Sequence, residues 1–553
     1  MKINRFIKRH SLVLALLVIL FFSALIPRVY GFGTVPASLN WDEMAVGVNG
    51  YLIGQEGRDE WGNFFPITFQ SFGDDKNPVH VYITALFIKV FGLSDFSVRF
   101  PVLVLGTLNV ILLFFVAYQL FKSYFISFIS AFSLAVSPHN LIFSHFNHEL
   151  NFTIFFFLLS LILFYIGKKG HKWLLFLSFV FFSIDLVSYN SPKIVVPVFL
   201  VGLCALYFKE IFHKDLRKYT FAGIALFLCV LGLVFFHPHL SGVNRAKQTT
   251  YSDYDVKQSE YFKQTNNLLL TRFLITKDQY LSHFSYMYLF VAGDENVRHS
   301  TRMYGIFYQL ESILIVYGFF LLLYLRKKET IILVLLILLA PLPSALFKDA
   351  PHSARAMFMT GSMHMLVGLG AFLILRLLYS FRERVHFLHI PKKVLSLVVA
   401  LPIILYLGFQ VKGFLDYYVT IYPNKYAVDW QYGLKEAVLF IKSRPKAERV
   451  YVTDVRSQPY IFFRFYEPIS NEEFRKRLVL DESKWKLSNT VEMYDNYVFG
   501  RWDVVHSMPT SNMIYVITAS EYHGLLHRND FEVLKIIKYP DGGEAFYIVE
   551  GHQ

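Results

Sequence analysis

The chain has 553 residues, 54% of them hydrophobic and 18% aromatic, with a mean hydropathy of +0.41. Charged residues make up 17%, against about a quarter in a soluble domain, which excludes an ordinary soluble protein and points to a polytopic membrane protein. The net charge of +13 does not mark a nucleic-acid binder, because the basic residues gather in short turns between apolar runs, the positive-inside pattern of a membrane chain.

The N-terminal "MKINRFIKRH" looks like a signal-peptide head, but no small-residue cleavage site follows the apolar run and Pro27-Arg28 is a poor context for one. We read an uncleaved first span. Apolar runs then recur along the chain, and about eleven have the length and character of spans. They lie at roughly 11–30, 97–121, 124–141, 150–167, 172–190, 193–209, 219–237, 305–325, 329–347, 356–378 and 394–413. With the N-terminus in the cytoplasm, the clusters Lys168/Lys169/Lys172, Lys214/Arg217/Lys218, Arg326/Lys327/Lys328 and Arg382/Arg384/Lys392/Lys393 all fall on the cytoplasmic side. An odd number of spans puts the C-terminus outside.

Three long segments then face outward: 31–96, 238–304 and 414–553. Within the first, "NPVHVYITALFIKVFG" is apolar but too short to span comfortably, and suits a helix lying on the outer leaflet. The last 140 or so residues change character. "QYGLKEAVLFIKS" has the spacing of an amphipathic helix through Leu434, Val438 and Ile441, and "ERVYVTDV", "MIYVITAS" and "FEVLKIIKY…EAFYIVE" have the β-branched and aromatic content of strands. The expected architecture is a membrane module, 1–413, and an extracytoplasmic α/β domain, 414–553, tethered by the last span. No internal repeat of the transporter kind is visible. Cys204 and Cys229 both lie in apolar runs and read as small core residues.

The chemistry-bearing residues sit at the expected outer surface. Asp42 and Glu43 directly follow the first span; they read either as a solvated pair or helix cap, or as a general base or metal ligand. Lys76, in "FGDDKNPVHVY", faces outward against the general bias, and beside carboxylates it suits a phosphate. In "SHFNHELNF", Glu149 and His148 stand at the mouth of a span. In "SIDLVSYNSPKIVVP", Asp185 lies inside apolar sequence, with Tyr189 and Lys193 in the following turn; it reads as a functional residue, with pairing to Lys193 as the plain alternative. In "DAPHSARAMFMTGSMHMLVGLGAF", His352 and Arg355 stand at another span entrance, Arg355 with the geometry to grip a phosphate, while Pro351 and the glycines suggest a bend and close helix packing. Arg245 and Arg272 lack a local motif. Together, these residues suit a substrate with a phosphate at headgroup level and a lipid tail in the bilayer.

At this point the chain resembles the C-type membrane glycosyltransferases, and more narrowly the bacterial protein O-mannosyltransferase and lipid A aminoarabinose transferase group. The resemblance rests on "WDE" after the first span, on "DKNPVHVYITALFIKVFG", on "SDFSVRFPVLVLGTLNVILLFFVAYQLF", on "FSHFNHELNFTIFFFLLSLILFY" and on the later "PHSARAM". It covers roughly the first 210 residues. It implies a polyprenyl-phosphate sugar donor, a protein, glycan or lipid acceptor on the outer face, and inverting transfer. Asp42 matches the family's first acidic residue, the catalytic base; Glu149 matches the second, where many relatives carry Asp; Lys76 matches a donor-phosphate residue, although Asn77 stands where a first Pro is common. His148, Tyr189, Lys193, His352 and Arg355 are the remaining candidates for substrate binding, with Glu43 beside the base. No cofactor is demanded, and a divalent metal at Asp42 or Glu43 stays open. The rival readings are a transporter or flippase of lipid-linked glycans and an O-antigen ligase-like protein.

Overall fold

A computed structural model describes residues 2–384, 391–444, 447–481, 490–500, 513–525 and 527–551. The chain forms two compact units: Met1–Tyr30 with Val102–Asp416, and Gly31–Pro101 with Tyr417–Gln553. The first outer segment therefore groups with the C-terminal residues, not with the membrane helices to which the expected division assigned it.

The first unit is helical, and each of the eleven apolar runs coincides with a helix. Among the described residues, seven helical stretches are long and apolar enough to cross a membrane: Ser11–Val29, Asp95–Phe121, Glu149–Gly167, Arg217–Phe236, Lys328–Ala345, Met359–Phe381 and Val394–Lys425. The other four runs form the helices Tyr124–Val136, Lys172–Leu186, Pro192–Leu206 and Glu311–Leu325, of 13 to 15 residues. At 1.5 Å per residue these are about 20–22 Å long, shorter than the ~30 Å hydrocarbon core. Hydropathy alone does not register the breaks that shorten them, such as Ser137, which ends one helix and caps the short helix Pro138–Ile142. The turn that joins Arg382 and Arg384 to Lys392 and Lys393 contains residues 385–390, outside the described residues.

The bend and close packing expected near Pro351 are present. The helix Met359–Arg384 is interrupted at Thr360 and Gly361, where Gly361 has φ +86°, a conformation that glycine adopts without strain. Beyond the kink, Gly370 lies against the Leu314 carbonyl of the helix Glu311–Leu325, and Gly318 of that helix against the Leu366 carbonyl; a Cβ at either would overlap the neighbouring backbone. Several buried polar side chains bond within the unit. Buried Arg28 donates to the carbonyls of Ala24 and Ala135 and to the side chains of Ser144 and Asn140. Asp185 accepts from Ser188 Oγ at 3.0 Å, while Lys193 Nζ donates to Asn190 Oδ1 at 2.6 Å and to the Leu240 carbonyl at 2.5 Å.

In the second unit, the helices Trp41–Glu56 and Pro78–Phe91 pack with Gly50 on the backbone of Ala85. The second is the short apolar helix expected from sequence; Asn77 precedes it and Pro78 opens it, where a missing N–H costs nothing. Strands β1 (Phe69–Ser71) and β2 (Asp74–Lys76) form a hairpin between them. Its two-residue loop, Phe72-Gly73, has φ of +48° and +80°, the pattern that matches the twist of a tight hairpin, and it brings Lys76 opposite Phe69.

The C-terminal residues add β3 (Arg449–Thr453), β4 (Val479–Asp481), β5 (Thr490–Tyr494), β6 (Tyr497–Gly500), β7 (Met513–Thr518), β8 (Phe531–Lys538) and β9 (Glu544–Gly551). They make a sheet of order β4-β5-β6-β3-β7-β9-β8, parallel at β6-β3-β7 and antiparallel elsewhere. The amphipathic helix is Leu434–Lys442, burying Leu434, Ala437, Val438 and Ile441. One core joins this domain to the first outer segment: Leu39, Met44, Val48, Leu52 and Ile88 cluster with Val438, Val450, Phe463, Phe465, Phe499 and Ile548. Phe465 packs on Gly47, where a Cβ would overlap its ring. Phe465→Ala should therefore cost about 3–5 kcal/mol, seen as a lower Tm of the detergent-solubilised chain. Val455→Ala, at an exposed position, should leave Tm within error.

Candidate functional site

The helix Trp41–Glu56 is started by Asn40. Its side-chain oxygen accepts the backbone N–H groups of Asp42 at 2.8 Å and Glu43 at 3.1 Å, and Glu43 Oε2 accepts the Asn40 N–H at 3.2 Å. This reciprocal cap satisfies donors that the first turn leaves open. It puts Asp42 in the first turn, where the positive end of the helix favours an anion. Lys76 Nζ reaches Asp42 Oδ1 at 2.5 Å, bridging 34 residues. The Asp42 side chain is 40% exposed and that of Lys76 16%, so the carboxylate is open to solvent while its lysine is mostly enclosed.

Glu43 does something else. It is fully buried, and its carboxylate pairs with Arg99: Nε to Oε1 at 2.9 Å and Nη2 to Oε2 at 3.0 Å. Arg99 also donates to the carbonyls of Pro36 at 3.0 Å and Ser38 at 2.6 Å. With one oxygen shared with the cap and both on the guanidinium, Glu43 has no face for a substrate. Of the readings open to Glu43, this geometry is that of the helix cap. The carboxylates of Asp42 and Glu43 each face a basic side chain, Lys76 and Arg99.

The other candidates lie in the first unit, where most of them converge. Glu149 opens the helix Glu149–Gly167; its N-cap, His148, accepts the Leu150 N–H on Nδ1 at 3.2 Å and lies 3.6 Å from Glu149 Oε2. The His148 ring is 5.6 Å from that of Tyr189 and 5.6 Å from that of His299, and His299 is 4.8 Å from His352. Arg355 pairs with Asp349 and lies over the Phe347 ring at 4.5 Å, while Asp349 Oδ2 is 3.7 Å from His352 Nε2. Lys193 is tied to the Asn190 turn and the Leu240 carbonyl. Arg272 pairs with Asp253 at 2.5 Å.

Sequence reasoning passed over two members of this cluster, Asp294 and His299, in "GDENVRHS". Asp294 Oδ2 accepts the Ser353 N–H at 2.6 Å and Oγ–H at 2.8 Å, and lies 3.3 Å from His299 Nδ1; Oδ1 accepts the Asn296 N–H at 2.9 Å. Burial alone would push the Asp294 carboxyl up, but the bonds from His299 and Ser353 outweigh it and hold the group well below the usual carboxylate range. Burial lowers His352 to about 3 and so keeps it neutral. Asp294, His299 and His352 are the group among the described residues that could hold a metal ion. The same unit has an apolar cavity of about 900 Å³, lined by residues including Ile26, Phe128, Phe132, Ile374 and Leu407.

Glu43→Gln would leave the Arg99 charge buried without its counter-ion. Breaking one side of such a pair costs about 3–5 kcal/mol. A marked fall in Tm is expected, with a loss of activity greater than the folded fraction alone accounts for, because the pair sets where the helix carrying Asp42 begins.

Residues 75–241 match the family model described as dolichyl-phosphate-mannose-protein mannosyltransferase. No curated relative matches the chain. Among solved structures, it is similar to the archaeal oligosaccharyltransferase AglB from Archaeoglobus fulgidus in complex with an inhibitory peptide and a dolichol-phosphate, at 14% identity and a TM-score of 0.51, covering 82% of this chain. This chain spans 63% of that protein's length. It is similar also to ArnT from Cupriavidus metallidurans, at 11% identity and a TM-score of 0.51 in the apo state, covering 98% of this chain and 97% of the other. The same protein bound to undecaprenyl phosphate gives 12% identity, a TM-score of 0.50 and 98% coverage of both chains. The protein is a multi-pass membrane protein with the fold of the C-type membrane glycosyltransferases.

Proposed function

We propose that the chain is a glycosyltransferase that moves a sugar from a polyprenyl-phosphate donor to an acceptor on the outer face of the cytoplasmic membrane. The observation that carries this reading is the Asp42–Lys76 pair, a carboxylate base and a phosphate-binding ammonium held together at a helix N-terminus. The fold likeness to proteins captured with dolichol-phosphate and undecaprenyl phosphate supports a lipid-phosphate donor. The apolar cavity of the helical unit offers a prenyl chain a place out of water. In this reading the N-terminus is cytoplasmic, and residues 414–553 form an extracytoplasmic domain.

The reaction follows from the two charges. The acceptor oxygen or nitrogen attacks the anomeric carbon as the bond from that carbon to the phosphate oxygen breaks. Its proton passes to Asp42. The bond electrons leave on the phosphate, whose added negative charge is met by Lys76. No enzyme nucleophile intervenes, so the configuration inverts. In the resting chain Lys76 holds Asp42; once a donor phosphate takes the lysine, the carboxylate is released to act as base. Within the helical unit, Glu149, 3.6 Å from its cap His148, serves as a second acidic centre, with Tyr189, His352 and Arg355 as substrate-binding groups of that unit, and Lys193 shapes the neighbouring turn.

The test is donor turnover in nanodiscs, using a panel of polyprenyl-phosphate sugars with cell-envelope acceptors and reading released polyprenyl phosphate. Asp42→Asn should lower kcat by roughly 10²–10⁴-fold in a folded protein. Lys76→Met should raise KM and also lower kcat, since Lys76 both binds the donor phosphate and meets its added charge, and the product should carry the opposite anomeric configuration to the donor. Wild-type turnover by Asp42→Asn would remove Asp42 as the base.

A further inference from the structure

We infer that Asp294, His299 and His352 form a binding site for a divalent transition-metal ion of the zinc class. The inference does not rest on the Asp42–Lys76 chemistry, and it assigns to an ion His352, placed above among the substrate-binding groups. One carboxylate and two imidazoles are a donor set that zinc takes, leaving a fourth position for water or substrate. The three are buried, at 2%, 7% and 9% exposure, and their ligating atoms all lie within 4.8 Å of one another. In a tetrahedral site with metal–ligand bonds near 2.0–2.1 Å, neighbouring donors sit about 3.3 Å apart.

The surroundings are those of an organised site. A metal-bound carboxylate is ordinarily held by further hydrogen bonds, and Asp294 is held by the backbone N–H groups of Asn296 and Ser353 and by the Ser353 hydroxyl. His352 accepts the Arg355 N–H on Nδ1 at 3.3 Å, which fixes its ring and leaves Nε2 as the donor to an ion. The charges facing the site are balanced, because Asp349, 3.7 Å from His352 Nε2, is paired with Arg355. His299 Nδ1 and Asp294 Oδ2 are 3.3 Å apart, the spacing of two neighbouring donors on a tetrahedral ion, so an ion would replace the hydrogen bond that joins them here. His299 and His352 lie 53 positions apart in the sequence, so an ion there would cross-link the second outer segment to the turn at the start of the helix Met359–Arg384.

The experiment uses the full chain in nanodiscs, stripped with chelator and titrated with Co(II), whose visible absorption reports tetrahedral coordination, followed by competition with zinc. About one ion per chain is expected, with a tetrahedral spectrum bleached by zinc. His299→Gln and His352→Gln should each abolish it, Ser353→Ala should weaken binding by roughly 10–100-fold, and His213→Gln, at an exposed position, should leave it intact. A wild-type chain that takes up no stoichiometric cobalt or zinc overturns the inference, as does full uptake by folded His299→Gln and His352→Gln proteins. If the variants do not fold, X-ray absorption on the zinc-loaded wild type decides: two imidazoles in the first coordination shell support the site, and a shell without them overturns it.

Discussion

The candidate catalytic pair depends on a buried ion pair that takes no part in chemistry. Glu43 and Arg99 are both out of solvent, and their bidentate contact is closed by the Asn40 cap and by the carbonyls of Pro36 and Ser38. Burying two charges is expensive, and such a pair persists only where its remaining hydrogen-bonding groups are satisfied, as here. Its consequence is geometric. It fixes where the helix Trp41–Glu56 begins, and so where Asp42, one residue earlier, presents its carboxylate. The hairpin loop Phe72-Gly73 sets the other partner by bringing Lys76 back opposite Phe69.

The core of the second unit extends this dependence to the far end of the chain. The helix that carries Asp42 buries its apolar face among residues of the C-terminal sheet and helices, Phe463 and Phe465 among them. The C-terminal residues are therefore part of the body that holds the candidate base, whatever further contact they make with an acceptor. A tethered appendage would have its own closed core and would leave Leu39, Met44, Val48 and Leu52 to be covered by something else.

What was legible in the sequence was mostly local. Long apolar runs, the Asn77-Pro78 start of a short helix, and the β-branched strands β3, β7, β8 and β9 each carry their signal within a few residues. Strands β4, β5 and β6 do not, being three to five residues long and partly polar, so that only their neighbours in the sheet make them strands. The candidate site divides the same way. Asp42 and Lys76 stood out as charges beside apolar sequence, and a family resemblance joined them. Glu43 looked equivalent to Asp42, but adjacent helical residues point about 100° apart, and Arg99, which decides its fate, is 56 residues away. Asp294 and His299 have no spacing motif linking them to His352; only the folded chain brings the three together.

If Lys76 exchanges Asp42 for the donor phosphate, binding of polyprenyl phosphate to the wild type, Lys76→Met and Asp42→Asn, read by native mass spectrometry from nanodiscs, separates the three proteins. Asp42→Asn should bind at least as tightly as the wild type, because the lysine no longer has a competing carboxylate. Lys76→Met should bind about 10-fold or more weakly, the loss of one charge-assisted contact. Equal binding by all three folded proteins would contradict this exchange and place the donor phosphate away from this pair.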